Sequence, residues 1–191
     1  MAQVRNIVIR KMSEHDMQDV AAIYNHYVRT SIATLQEEDT TVALMGAKLL
    51  GIRQKGLPCL VAISTNSPTV CGYAYADDWN TRSGYRYSVE GTIYLHKDNC
   101  RQGLGKILLE ALIADLRKCG KKQVLAKMSI TPEQSIEDVP SCRLHRSFGF
   151  EEVGRLKRVG LKNDVWLDVV IFQLALEGVE GSKSVTAGDE H

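Results

Sequence analysis

One mixed α/β sheet with helices on its faces is the fold class that this sequence predicts. Three observations carry that prediction. Hydrophobic periodicity switches between the two-residue repeat of strands and the 3.6-residue repeat of helices, in the order β-α-α-β-β-β-α-β-α-β-β. The 191 residues contain no internal repeat and no dividing linker, so they fit one domain with a substantial core. The hydrophobic fraction of 44% and charged fraction of 25% are those of an ordinary globular protein.

Each element has its own signal. Ile7 to Lys11 alternates weakly and predicts a first strand. Ser13 followed by Asp16 has the form of a capping box with the shorter acid, and Met17, Val20, Ala21, Tyr24, Tyr27 and Val28 recur behind it at helical spacing. Ser31 to Thr41 is irregular. Val42 to Gln54 predicts a second helix, against the preferences of Gly46 and Gly51. Leu60 to Ile63 and Val70 to Ala76 form a hairpin around Ser64-Thr65-Asn66-Ser67-Pro68, and a polar loop follows from Asp77 to Arg86. The next strand runs through Thr92, Ile93, Tyr94 and Leu95, with Glu90 just ahead of it.

Leu104, Ile107, Leu108, Ala111, Leu112 and Leu116 mark the apolar face of a long helix, with Gly120 as its C′ residue. Val124 to Met128 is a strand and Thr131 to Val139 a loop. Ser141 is the predicted N-cap of a short helix ending at Gly149. Two last strands lie near Glu151 to Val159 and Leu167 to Leu174. The polar, glycine-rich stretch from Glu177 to His191 is expected to be disordered, which leaves residues 1–176 as the domain.

Bulk chemistry removes several function classes. A net charge of +1, from 24 basic and 23 acidic residues, gives no footprint for nucleic-acid binding. The basic run Arg117-Lys118 with Lys121-Lys122 falls at a helix C-terminus, where cations are expected anyway. Cys59, Cys71, Cys100, Cys119 and Cys142 are odd in number and irregularly spaced, which excludes a disulfide framework and the common zinc patterns and suggests a reducing compartment. The five histidines lack metal-ligand spacing, so no metal is expected. No apolar run reaches transmembrane length and the first residues lack a signal-peptide core, so a cytosolic protein is expected.

The segment Ser88 to Lys106, SVEGTIYLHKDNCRQGLGK, is the most informative. It joins a carboxylate, a strand, a basic turn and Gly103-Leu104-Gly105 at the start of a helix. Backbone N–H groups in such a turn suit a phosphate or pyrophosphate, and the carboxylate could act as a base beside it. A P-loop would need a hydroxyl where Ile107 stands, and a dinucleotide fingerprint a third glycine where Leu108 stands. On these residues alone, a phosphate cradle and a plain strand–helix turn fit equally well.

The segment resembles motif A of the GCN5-related N-acetyltransferases, in which a [QR]-x-x-G-x-[GA] loop holds the pyrophosphate of acetyl-CoA. Within that superfamily it resembles the phosphinothricin and methionine-derivative acetyltransferases. Ordered blocks extend the likeness to about Leu176: IRKMSEHDM, YNHYVRTSIAT, GYAYADDWNTRSGYRYSVEGTIYLHKD, the Arg143-Leu144-His145 run before FGF, and GLKNDVWLDVVIFQ. Four features depart from the pattern. Cys100 replaces the first Gln or Arg, Asp138 stands in place of an Asn, the loop from Thr131 to Glu137 is longer than usual, and Leu35 replaces an aromatic.

The resemblance implies a mostly antiparallel sheet of about six to seven strands flanked by about four helices. It implies acetyl-CoA as cosubstrate, a small amino-acid-like acceptor and a homodimer. Glu90 matches the general base; the residues alone favour a strand-edge glutamate paired with Arg86 or Lys97, and the resemblance turns the reading to catalysis. His145 matches a family histidine at a position where many relatives carry a tyrosine that protonates the leaving thiolate; the resemblance implies a general acid or a substrate-orienting group, with a capping or half-buried role as its alternative. Cofactor contacts map onto Ile93, Tyr94 and Leu95, onto Arg101, Gln102, Gly103, Leu104, Gly105 and Lys106, and onto Asp138. Leu35, Arg82 and Tyr85 map onto the acceptor site, Arg82 suiting a carboxylate. Trp79 and Trp166 match family positions as packing residues. Transfer to a peptide or protein N-terminus, and CoA binding without catalysis, are the alternative functions.

Overall fold

Strand and helix boundaries follow local chemistry closely in the structure, a computed structural model that describes residues 6–66 and 69–176. The expected disordered stretch 177–191, and Ser67-Pro68 of the hairpin turn, lie outside the described residues. Strand β1 is Ile7–Lys11 and helix α1 is Met17–Thr30. The capping box closes ahead of α1: the Ser13 backbone N–H donates to the Asp16 carboxylate at 2.7 Å, and Arg10 ion-pairs with the same group. Helix α2 is Val42–Gln54, with Thr41 as N-cap accepting from the Leu44 N–H at 3.1 Å. Its two glycines are tolerated; a side chain at Gly46 would only touch Met17.

Strands β2 (Cys59–Ser64), β3 (Val70–Asp78) and β4 (Ser88–Leu95) continue the sheet antiparallel. The expected polar loop therefore starts later, because Asp77 and Asp78 still pair with Glu90 and Val89. Glu90 stands inside β4 rather than ahead of it. Helix α3 is Leu104–Lys118, followed by β5 (Gln123–Ile130), α4 (Pro140–Arg146), β6 (Glu151–Lys162) and β7 (Val165–Ala175). The loop before α4 contains a 3₁₀ turn at Ile136–Asp138.

The predicted start of α4 at Ser141 is corrected. Val139 is the N-cap and Pro140 fills the first helical position, where its missing N–H costs nothing and its fixed φ suits the helix. The helix also ends at Arg146, three residues before Gly149. Trp166 is corrected too: it is 53% exposed near the β6–β7 hairpin rather than packed.

The seven strands lie in the order β1-β2-β3-β4-β5-β7-β6. Every neighbouring pair is antiparallel except β4 and β5, which run parallel for only three residue pairs, Ser88–Gln123 to Glu90–Leu125. Beyond them the strands separate, although β4 runs on to Leu95 and β5 to Ile130. A notch opens in the middle of the sheet. Gly72 and Gly91 face α3, where side chains would meet Leu108 and Leu112. Tyr73, Tyr75 and Tyr94 face α1 and α2 instead, through Tyr24 and Lys48. The core fills both layers, with Val61, Ala74, Val89, Leu108, Leu112 and Phe172 fully or almost fully buried.

Candidate active site

The notch follows from a mismatch in strand direction. A parallel pair cannot be held together by a hairpin, and the short β4–β5 ladder ends where the strands twist apart. From Gly91 to Leu95, the β4 backbone groups on that side face no strand, and all five residues are only part-buried. Ile93, Tyr94 and Leu95 form this open edge. The Tyr27 hydroxyl reaches across from α1 and donates to the Leu95 carbonyl at 2.8 Å.

Glu90 stands at the apex of the notch. Alternation along β4 sends its side chain to the α1/α2 face, opposite to Gly91. It is 29% exposed, and its Oε2 lies 2.8 Å from Lys127 Nζ. Its ion partner is thus on β5, not Arg86 or Lys97. Lys127 also lies 5.5 Å from the centre of the Trp79 ring. The sequence reading missed Lys127, since only the parallel β4–β5 register brings it to Glu90.

The open edge leads into the turn before α3. Gly103, the N-cap, has φ 87°, and Arg101 also adopts positive φ at 61°. Two left-handed residues in three curl the backbone just ahead of the α3 N-terminus, where the first N–H groups of a helix lack partners within it. Gly103 therefore serves the conformation. Gly105 serves packing, since a Cβ there would lie 3.1 Å from Leu144 of α4. Arg101, Gln102 and Lys106 are exposed around the turn while Leu104 is buried; the Gln102 side chain donates to the Asp98 carbonyl at 2.8 Å. Cys100 turns inward, with Sγ 3.7 Å from the Tyr27 hydroxyl and 3.6 Å from the His96 carbonyl.

The α1–α2 loop closes one side. It is stapled to α1 by paired bonds between Asn25 and Thr40 and by an Arg29–Asp39 ion pair. Buried Lys162 donates to the Ser31 and Thr34 carbonyls at 2.9 and 2.8 Å. Leu35 lies against the bare backbone of Gly160, and the Tyr94 hydroxyl reaches the Ala33 carbonyl at 3.5 Å.

Arg82 and Tyr85 are exposed on the β3–β4 loop, joined by a Tyr85 N–H to Arg82 carbonyl bond at 3.0 Å. Asp138 is exposed at the end of the 3₁₀ turn before α4. His145 is buried in α4, edge-on to Phe150, with Nδ1 2.8 Å from the Ser141 carbonyl. A carbonyl only accepts, so Nδ1 carries the proton. Burial holds the His145 pKa below its ordinary value, against the opposing pull of the Ser141 carbonyl. Among the described residues no cluster of His, Cys, Asp and Glu is placed to hold a metal ion.

Known proteins resemble this chain in sequence and in fold. The acetyltransferase (GNAT) domain family matches residues 9–171. A phosphinothricin N-acetyltransferase of Alcaligenes faecalis is 34% identical over 168 residues, which cover 88% of this chain and 82% of that protein. An L-methionine sulfoximine/L-methionine sulfone acetyltransferase of Salmonella typhimurium is 34% identical over 175 residues, covering 90% and 95%. Among solved structures, a GNAT superfamily phosphinothricin acetyltransferase from Sinorhizobium meliloti, in complex with acetyl-CoA, aligns with a TM-score of 0.82 at 31% identity. That alignment covers 97% of this chain and 94% of that one. A notched seven-stranded sheet with family sequence along nearly its whole length has one assignment: the chain belongs to the GNAT acetyltransferases.

Proposed function

We propose that the protein moves an acetyl group from acetyl-CoA to the amine of a small amino-acid-like acceptor, of the phosphinothricin or methionine sulfoximine/sulfone kind. Transfer is direct, with Glu90 as general base. The observation that carries this reading is the place of Glu90: it stands at the apex of the notch, whose free β4 edge runs into the left-handed turn at the α3 N-terminus. The names of the relatives support the acceptor class.

Acetyl-CoA supplies an acetyl group activated as a thioester. The N–H groups of the turn from Arg101 to Gly105 suit its pyrophosphate, reinforced by the helix dipole and by the Arg101 and Lys106 charges. The free edge at Ile93, Tyr94 and Leu95 suits its pantetheine arm, with Asp138 as a further polar contact. Cys100 leaves the pyrophosphate to the main chain and packs against Tyr27 instead.

An acceptor ammonium has no lone pair with which to attack. Glu90 takes its proton, directly or through a water; the free amine forms the C–N bond as the C–S bond breaks, and the departing CoA thiolate takes up the second proton that the acetylated nitrogen sheds. Backbone N–H groups on the β4 edge stabilise the charge developing on the carbonyl oxygen. His145, neutral and with Nδ1–H committed to Ser141, orients groups near α4 rather than serving as a charged acid. Leu35 lines the acceptor pocket, and Arg82 with Tyr85 draws the acceptor's anionic group. Five free thiols suit a reducing cytosol, and a homodimer is the proposed assembly.

Free thiol release from acetyl-CoA, measured across phosphinothricin, methionine sulfoximine, methionine sulfone and ordinary amino acids, tests the reading. Turnover on at least one of these is expected, and Glu90→Gln should lower kcat at neutral pH by about 10²–10⁴-fold. Background rates across the whole panel would refute the acceptor class. Full activity in Glu90→Gln would remove Glu90 as the base.

A further inference from the structure

We propose that Lys127 is a specificity-determining residue of the acceptor site, recognising an anionic group that the acceptor carries beside its amine. The inference rests on the acetyl-transfer reading and deepens it. Lys127 stands on β5 two residues beyond Leu125, the last residue of that strand paired with β4, so its side chain leaves the sheet where the notch opens. The alternation that sends Glu90 to the α1/α2 face sends Lys127 there too, and Nζ meets Oε2 at 2.8 Å.

The neighbouring lysines have other partners. Lys55 holds Asp77 at 2.7 Å and Asp78 at 3.2 Å, and Lys121 donates to the Arg86 carbonyl at 2.6 Å. Among the described residues, Glu90 is the sole ion partner of Lys127, yet the Lys127 side chain is 42% exposed. The Trp79 ring, 5.5 Å from Nζ, borders its other side.

That pairing sets a condition on the acceptor. The acceptor arrives as an ammonium and must approach a carboxylate that Lys127 already holds. Two cations on one carboxylate repel at contact distance. An acceptor that brings its own carboxylate removes the conflict, since in an α-amino acid the amine and carboxylate share one carbon neighbour. The ammonium then takes Glu90, the acceptor carboxylate takes Lys127, and the four charges alternate. A plain amine or a polyamine supplies no such anion and competes with Lys127. The flexible lysine stem allows the exchange without backbone movement, and the face of Trp79 keeps the ammonium head nearby. Lys127 thus adds a second cation to Arg82, placed next to the reacting nitrogen.

Matched acceptors test this: methionine sulfone, its carboxamide, and the amine lacking the carboxyl group. Acetylation by thiol release and equilibrium binding by calorimetry are measured on the wild type, Lys127→Met and Lys127→Arg. The wild type should prefer the acid over the amide in both readouts. Lys127→Met should narrow that preference roughly fivefold, the scale of one partly exposed ion pair, and Lys127→Arg should restore most of it. A lysine that merely braced Glu90 would change kcat for every acceptor alike and leave the ratio untouched.

An unchanged acid-to-amide ratio in Lys127→Met, with turnover intact, overturns the proposal and leaves acetyl transfer standing. A ratio that narrows in binding, with none of these acceptors turned over, supports anion recognition by Lys127 and removes this acceptor class as acetylation substrates. Wild-type protein that neither binds nor acetylates the acid preferentially overturns the role of Lys127 whatever else it acetylates.

Discussion

Single residues in the notch do narrower jobs than a motif suggests. Gly103 is needed for its backbone, at φ 87°, whereas Gly105 is needed for the close approach of Leu144. His145 shows a similar separation between position and chemistry. Its ring is buried against Phe150, its Nδ1–H is committed to Ser141, and burial lowers its pKa below 6.5. The sign of the pH effect follows. Below pH 6.5 the unfolded chain takes up a proton on this residue that the folded chain refuses. The stability that His145 contributes is therefore complete above that pH and falls as pH drops from it toward the lowered folded value. Thermal midpoints measured from pH 8 to pH 5 should decline below about pH 6.5 in the wild type, and a His145→Phe variant should lose that part of the decline. A wild-type midpoint that stayed level across this range would contradict a buried neutral His145.

At the scale of elements, the α1–α2 loop depends on a strand far away in sequence. Lys162, at the end of β6 and 1% exposed, caps the Ser31 and Thr34 carbonyls, and Gly160 on the same strand gives Leu35 its seat. Lys162→Met removes both bonds and leaves two carbonyls without that donor, which should cost about 1–3 kcal/mol of stability by denaturant unfolding. Because the loop carries Leu35, the same variant should raise KM for the acceptor more than KM for acetyl-CoA; equal changes would detach the loop from the acceptor site. This dependence also marks what the sequence could reveal. Helices α1 and α3 announce themselves through apolar spacing that repeats within a few residues, so both are legible. Pairings that depend on strand order are not: Lys127 is 37 positions from Glu90, and Lys162 is 131 from Ser31. Ser141 misled as a cap because Pro140 fixes the first helical turn one residue earlier. Trp166 misled because a matched family position suggested packing, while the end of the β6–β7 hairpin that carries it leaves the ring exposed.

For the whole molecule, the β6 edge of the sheet is the surface that invites a partner. β6 is the terminal strand and runs for 12 residues, so its outer backbone groups have no strand partner among the described residues. Val153, Leu156, Val159 and Leu161 are exposed along it, with Val165 and Trp166 exposed beside its far end. Edge strands are normally blunted by charge or by a bulge. A bulge is present where the register slips between Leu156 and Gly160, with Arg158 at positive φ, yet the apolar side chains remain uncovered. A second copy presenting the same edge would cover both sets at once, since a two-fold contact sets identical patches against each other. Light scattering at micromolar concentration should therefore give a mass near twice the 21.3 kDa of the chain. Replacing Val159 and Leu161 together by Glu should return the mass to that of one chain, because two carboxylates per copy would then meet their equivalents across the axis. The stability of the single chain should change little, since both side chains are already exposed. A wild-type mass of one chain at those concentrations would leave the β6 edge without a partner and sink the dimer.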